Sequence, residues 1–222
     1  MKRIAFYGGS FDPVHLGHLQ IGRELIMAFA LDEIVYVPAY HAPHKKRLRP
    51  TSAYDRYAML CMATNDDLSL RVSKMEIEMP ERPYSIETLG RINADFPDSE
   101  TFFIIGADSW MDITTWKEWE SVLTISNHIV VTRPGYQLST SHVTDPIRSR
   151  VIDLTRMKVD GIAPCVSNAL QQPGKQIFLT DLVNIDVSAT EIRRKIRSSD
   201  PSWRQDVSLE VANYIEKYQI YS

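Results

Sequence analysis

The 222-residue chain is 44% apolar and 24% charged, with a formal net charge of −3. That is the profile of a globular protein long enough to bury a sizeable core, and its slight acidity argues against a nucleic-acid binder, which is more often basic. No run approaches the ~20 apolar residues of a membrane span, two cysteines (Cys61 and Cys165) imply no disulfide framework, and the opening MKRIAFYGG reads as a strand entering glycines rather than a signal peptide, so the cytoplasm is the expected compartment.

In chain order, apolar and β-branched runs predict strands over Lys2–Tyr7, Glu33–Pro38, Leu68–Met75, Glu100–Gly106, Asn127–Thr132 and Gln176–Leu179. Several are nearly continuous in apolar character, as strands covered on both faces would be. Helical spacing falls between most of them, over His18–Ala30, Tyr54–Thr64 (Tyr57, Leu60 and Cys61 in phase) and Ile86–Phe96. Ser188–Ile196 and Asp206–Tyr218 follow near the C-terminus, the latter with Val207, Val211, Tyr214 and Ile215 as a packing stripe. Alternating strand and helix implies an α/β fold, a Rossmann-like doubly wound parallel sheet with C-terminal helices. One domain is expected over residues 1–222, with an irregular insertion around 136–174. In such sheets ligands sit beyond the carboxyl ends of the strands, so the loops after Tyr7, Pro38 and Gly106 are the places to look for chemistry.

The first of those loops reads GGSFDPVHLGHL, residues 8–19. Gly8 and Gly9 let the backbone turn or approach something closely. A helix starting near His15 would carry His15 and His18 three residues apart on one face. Its N-terminus offers unpaired N–H groups and partial positive charge, and the two imidazoles add donors. The combination suggests a polyphosphate cradle, although neither the P-loop pattern nor the dinucleotide GxGxxG is present. A capping histidine and a core histidine are the alternative. Metal ligation is another, because His41 and His44 form a second HxxH, but Pro43 and the cations from Lys45 onward make that pair a poor cation site. The run His44-Lys45-Lys46-Arg47-Leu48-Arg49 gathers cations locally.

GGSFDPVHLGHL resembles the signature of the HxGH nucleotidyltransferase superfamily. Within it the chain is similar to the bacterial nicotinate-nucleotide adenylyltransferases. Further matching segments are Ala42–Lys45, Pro83–Leu89, Ile104–Ser109, Thr115–Trp119, Arg133–Gly135 and Val187–Arg193. They occur in the family's order, and only residues 136–174 lack a counterpart.

The resemblance implies transfer of the adenylyl group of ATP to nicotinate mononucleotide, giving deamido-NAD and pyrophosphate by direct in-line attack without a covalent intermediate. The attacking phosphate oxygen is already anionic near neutral pH, its second ionisation lying near ~6, so no activating base is needed. The implied catalytic residues are His15, His18, Lys45 and Arg193. ATP would be held by Gly8, Gly9, Ser10, Phe11, His15, His18, Gly106, Asp108, Ser188, Thr190 and Arg193. Nicotinate mononucleotide would meet Lys45, Tyr84, Ser85, Thr88, Trp116, Lys117 and Arg133. Two positions depart from the family: Ser85 stands where threonine is usual, and Lys117 where an aromatic residue often stacks on the pyridine.

No protein metal site is expected, since Mg2+ would be held mainly through ATP phosphates and water. ATP and nicotinate mononucleotide are the expected partners, with no nucleic acid and no membrane, and a homo-oligomer is left open. Trp119, Arg47 and Arg49 have bland explanations as a buried helix face and solvated charges; Asp108 as a helix cap and Arg133 as a sheet-edge cap remain alternatives. Other acceptors, a zinc hydrolase built on the two HxxH pairs, and a nucleotide sensor without turnover remain the rival functions.

Overall fold

A computed structural model describes residues 1–40, 51–79, 83–132, 138–183 and 187–221. Seven strands form one parallel sheet in the order β3-β2-β1-β4-β5-β7-β6. They are β1 (Lys2–Gly9), β2 (Glu33–Pro38), β3 (Leu70–Val72), β4 (Ser99–Gly106), β5 (Asn127–Val131), β6 (Val151–Asp153) and β7 (Ile177–Thr180). The order reverses at β1 and β4, as in doubly wound sheets. The chain divides into two compact, interleaved units, one of residues 1–7, 24–34 and 83–184, the other of residues 8–23, 35–82 and 185–222.

In the first unit β1 runs parallel to β4, with Lys2 opposite Ser99 and Tyr7 opposite Ile104. β4 pairs with β5, β5 with β7, and β7 with β6, all parallel. Residues 101–105 of β4 and all of β7 are buried, which is why these strands read as unbroken apolar runs. Phe29, Phe102 and Phe178 cluster in the core with ring centroids 5.6–6.5 Å apart. The helices of this unit are α3 (Ser85–Asp95), α4 (Ala107–Met111), α5 (Trp119–Ile125), α6 (Asp145–Arg148) and α7 (Val159–Ala169). Helix α1 (Leu16–Phe29) begins in the second unit, which also holds α2 (Ala53–Thr64), α8 (Ala189–Arg197) and α9 (Leu209–Lys217).

Three expectations need adjusting. The stretch expected to be irregular, residues 136–174, holds from residue 138 onward the edge strand β6 and the 11-residue helix α7. Gly161 and the internal Pro164 disguise that helix, since both are poor helix formers. The strand expected over Leu68–Met75 shrinks to Leu70–Val72. Asp67 Oδ1 accepts from the Ser69 N–H at 3.1 Å, and the Glu78 N–H donates to the Lys74 carbonyl at 3.0 Å, so turns consume both ends. The last helix begins at Leu209 rather than Asp206, because Pro201–Asp206 form a 3₁₀ turn and Ser208 caps the helix by accepting from the Val211 N–H. Of the expected stripe, Val207, Val211 and Ile215 are buried, while Tyr214 is half-buried and its hydroxyl donates to Asp55 Oδ1 at 2.8 Å.

Candidate functional site

The second unit gathers the phosphate-directed residues. After β1, Gly9 passes beneath the Phe11 ring so closely that a Cβ there would lie 2.9 Å from Phe11 Cζ, which explains the glycine. Phe11 takes a positive φ of 45° and is 1% exposed, its ring meeting His18 edge-on at 4.9 Å and Tyr36 at 5.5 Å. Its side chain thus supports His18 from within the core. Tyr36 adds a hydroxyl that donates to the His18 carbonyl at 3.0 Å.

Helix α1 starts at Leu16, and the His15 carbonyl accepts from the His18 N–H at 2.9 Å. The two rings stack with centroids 3.7 Å apart and planes 27° from parallel, as two histidines three apart in one turn can. The His15 backbone N–H donates to His18 Nδ1 at 3.3 Å. That acceptor role puts the His18 proton on Nε2. His15 is 7% exposed and its Nδ1 is buried with no partner among the described residues. Burial pulls the His15 pKa down to about 4, with the Asp206 carboxylate pulling weakly the other way. Burial and then the neighbouring His15 hold His18 well below the ordinary range. At neutral pH the pair is uncharged, and each ring offers one N–H.

Helix α8 is tied to the same loop through Arg193. Ser188 caps it, its Oγ accepting from the Glu191 N–H at 3.2 Å. Arg193 donates through Nη1 to the Asp12 carbonyl and through Nη2 to Thr190 Oγ1 at 3.1 Å. Within this unit, Gly9, Ser10, Phe11, His15, His18, Thr190 and Arg193 are therefore linked through the loop and its contacts, with Gly8 just before it in β1 and Ser188 at the α8 cap.

Three functional candidates escaped the sequence. The Asp12 carboxylate accepts from the Tyr221 hydroxyl at 2.7 Å; Asp12 stood inside the motif, but nothing local pointed to Tyr221. Arg56 is 2% exposed and lies on the buried stripe of α2 with Met59, Leu60 and Thr64. A cation at an apolar-phase position was the signal that could have found it.

The first unit holds the other expected residues. Gly106 caps α4 and a Cβ there would face open space, while Asp108 sits exposed in the first turn rather than at the cap. Tyr84 caps α3, is 56% exposed, and its N–H donates to Glu87 Oε2 at 2.9 Å. Lys117 Nζ lies 4.4 Å from the Tyr84 ring centroid, a cation–π contact, and 3.2 Å from Glu87 Oε1. The structure therefore joins Tyr84 and Lys117 and adds Glu87, which the capping-box pattern does not flag because tyrosine rather than serine or threonine holds the cap. Ser85 and Trp116 are half-buried. Thr88 is 2% exposed, an interior residue of α3. Lys45, Arg133 and the second histidine pair, His41 and His44, lie outside the described residues. Among the described residues no group of three or more histidine, cysteine or acidic side chains is placed to hold a metal ion, and no helix is long and apolar enough to cross a membrane.

With this geometry in place, comparisons with known proteins decide the family. Residues 6–195 match the Cytidylyltransferase-like family. A probable nicotinate-nucleotide adenylyltransferase from Corynebacterium jeikeium is 32% identical over 216 residues, covering 96% of this chain and 98% of its own. One from Desulfatibacillum aliphaticivorans is 34% identical, covering 97% and 96%. The chain belongs to the nicotinate-nucleotide adenylyltransferase family. The fold agrees: the Plasmodium falciparum nicotinic acid mononucleotide adenylyltransferase complexed with NaAD superposes with a TM-score of 0.71 at 19% identity, covering 100% of this chain and 98% of that one. Family membership accounts for the motif order from Gly8 to Arg193, and the fold comparison for the strand order.

Proposed function

We propose that the chain transfers the adenylyl group of ATP to nicotinate mononucleotide, releasing pyrophosphate and forming deamido-NAD, a step of NAD biosynthesis. The observation that carries it is the stacked His15–His18 pair on the loop to which Arg193, itself bonded to Thr190, donates. The names of the full-length relatives support nicotinate mononucleotide as the acceptor.

An oxygen of the acceptor's 5′-phosphate attacks the α-phosphorus of ATP. The P–O bond to pyrophosphate breaks, and the electron pair leaves with the pyrophosphate. The attacking oxygen needs no base, since phosphate monoesters are largely dianionic at neutral pH. Catalysis then consists of aligning two anions and offsetting the charge that develops on the leaving group. His15 and His18 donate N–H to the ATP phosphates. Neutral imidazoles cost less than cations to hold buried, and the incoming anion favours their protonation. Arg193, Thr190, Ser188 and the α8 N-terminus receive the β,γ-phosphates. Gly8, Gly9 and Ser10 lead the backbone along the nucleotide, and Phe11 fixes His18 from the core. Gly106 and Asp108 take the nucleoside side. The resemblance assigns Lys45 to the phosphates and Arg133 to the acceptor. Tyr84, Ser85, Trp116 and Lys117 form the acceptor's pyridine subsite, which Thr88 supports from the interior of α3.

Magnesium is proposed to enter as part of the ATP substrate, held by phosphate oxygens and water. The cytoplasm, where both nucleotides are at hand, is the proposed compartment. The test is pyrophosphate release with ATP and magnesium, comparing nicotinate mononucleotide with nicotinamide mononucleotide. Strong release with the acid is expected, and release with neither would overturn the assignment.

A further inference from the structure

Arg56 is an expensive residue to place where it is. At its position on α2 the chain would gain more from leucine or methionine, since an uncompensated buried cation costs several kcal/mol. The guanidinium donates to four carbonyls: from Nη1 to Ser10 at 2.6 Å, from Nη2 to Ala39 at 2.6 Å and Tyr40 at 3.2 Å, and from Nε to Thr51 at 3.2 Å. Burial lowers its pKa, while the charge of Asp12 acts in the opposite direction.

The four acceptors belong to three separate stretches. Ser10 follows β1, Ala39 and Tyr40 follow β2, and Thr51 immediately precedes the Ser52 cap of α2. The β1–β2 ladder ends with the Ala39 N–H donating to the Gly9 carbonyl at 2.9 Å. One residue later, where that ladder stops, the guanidinium fork ties the strand ends together. Ser10 is followed directly by Phe11, whose ring touches His18, so the position of the Ser10 carbonyl passes to the histidine pair. Tyr40 and Thr51 flank residues 41–50, in which the sequence carries Lys45.

We infer that Arg56 is a positioning residue for ATP: its planar fork fixes Ser10, the Ala39–Tyr40 pair and Thr51 in one arrangement, and so sets the phosphate loop. Lysine cannot replace it, because one ammonium presents its donors from a single point while guanidinium spreads five across a plane. The inference rests on the proposed adenylyl transfer for the identity of ATP and of the acceptor.

The experiment compares wild type with Arg56→Lys and Arg56→Gln. Calorimetric titration of ATP with magnesium, without acceptor, gives Kd; steady-state pyrophosphate release gives KM for each substrate and kcat. A roughly 10- to 100-fold weaker ATP Kd in both variants is expected, the range found when the hydrogen-bonding partner of a metal ligand is lost, with acceptor KM within about twofold of wild type. Unchanged ATP affinity in a folded variant overturns the inference. So does an equal loss for both substrates, or failure of both variants to fold, since either marks a purely structural role. If the wild type binds ATP but releases no pyrophosphate with nicotinate mononucleotide, the acceptor assignment fails, while the ATP titration still judges Arg56.

Discussion

The loop after β1 with its supports and the side chains proposed for the acceptor are built in opposite ways. In the second unit, His15, Phe11, Asp12 and Arg56 are each less than a tenth exposed, and each touches another member of the loop or its supports. In the first unit, Tyr84 and Lys117 stand largely in solvent and share one carboxylate, Glu87. Chemistry that must hold charge in a fixed geometry is secured by burial and main-chain hydrogen bonds. In the proposed reading, discrimination of the pyridine ring falls to side chains outside the core. Of the two departures from the family pattern, Lys117 is exposed and Ser85 half-buried, and neither lies in the core.

Mutagenesis can break or sharpen that contrast. The largest effect is expected for His18→Ala or His15→Ala, which should lower kcat by roughly 10²–10³, the scale of one lost transition-state donor. Pyridine-nucleotide binding should change little; near-wild-type turnover in both variants would remove the histidines from the mechanism. Arg193→Ala comes next. Losing a charged hydrogen-bond donor costs ~1.5–3 kcal/mol, so kcat/KM for ATP should fall by about 10- to 100-fold, read from initial rates at saturating acceptor.

Acid stability probes both units together. His15 and His128 are each brought by burial from 6.5 to about 4. The unfolded chain therefore binds more protons than the native one between about pH 6.5 and 4, and stability must fall as pH drops through that window. Each histidine should account for about 2 kcal/mol between pH 6.5 and 5. Denaturant melts of His128→Asn should show the first unit's share removed and the remaining slope intact.

Smaller still is Tyr221→Phe, which removes one hydrogen bond to the Asp12 carboxylate and should cost about 1 kcal/mol of stability, with a modest rise in KM for ATP. An unchanged melting midpoint would show that the carboxylate finds another donor at no cost. The smallest shift is expected for Lys117→Met, because exposed ion pairs contribute only ~0–1 kcal/mol. The preference for acid over amide acceptor should move by a few-fold at most, and ATP kinetics not at all. A tenfold or larger change would mean that the exposed side tolerates substitution no better than the buried one.

The sequence made legible what is local. Glu33–Pro38 was expected as a strand, and β2 has those ends; β1, β4, β5 and β7 lie within two residues of their apolar runs. Helix α4 with five residues and α5 with seven are too short for a periodic signal. The three-residue β6 and the Gly161- and Pro164-bearing α7 hid behind weak patterns. In the site, Gly9, His15 and His18 announced themselves because their partners lie within a few residues. Arg56 meets Ser10 across 46 residues and Tyr221 meets Asp12 across 209, and no spacing rule reaches that far.

Those long separations also set a timetable. The motif loop leaves the ribosome well ahead of its partners, for Arg193 and Tyr221, which bond to Asp12, are made 181 and 209 residues later. At ~5–20 residues per second, Asp12 waits roughly 10–40 s for Tyr221. A nascent chain stopped before residue 193 carries the whole signature and lacks the arginine that grips it. Completion of the loop's contacts thus becomes a property acquired late in translation.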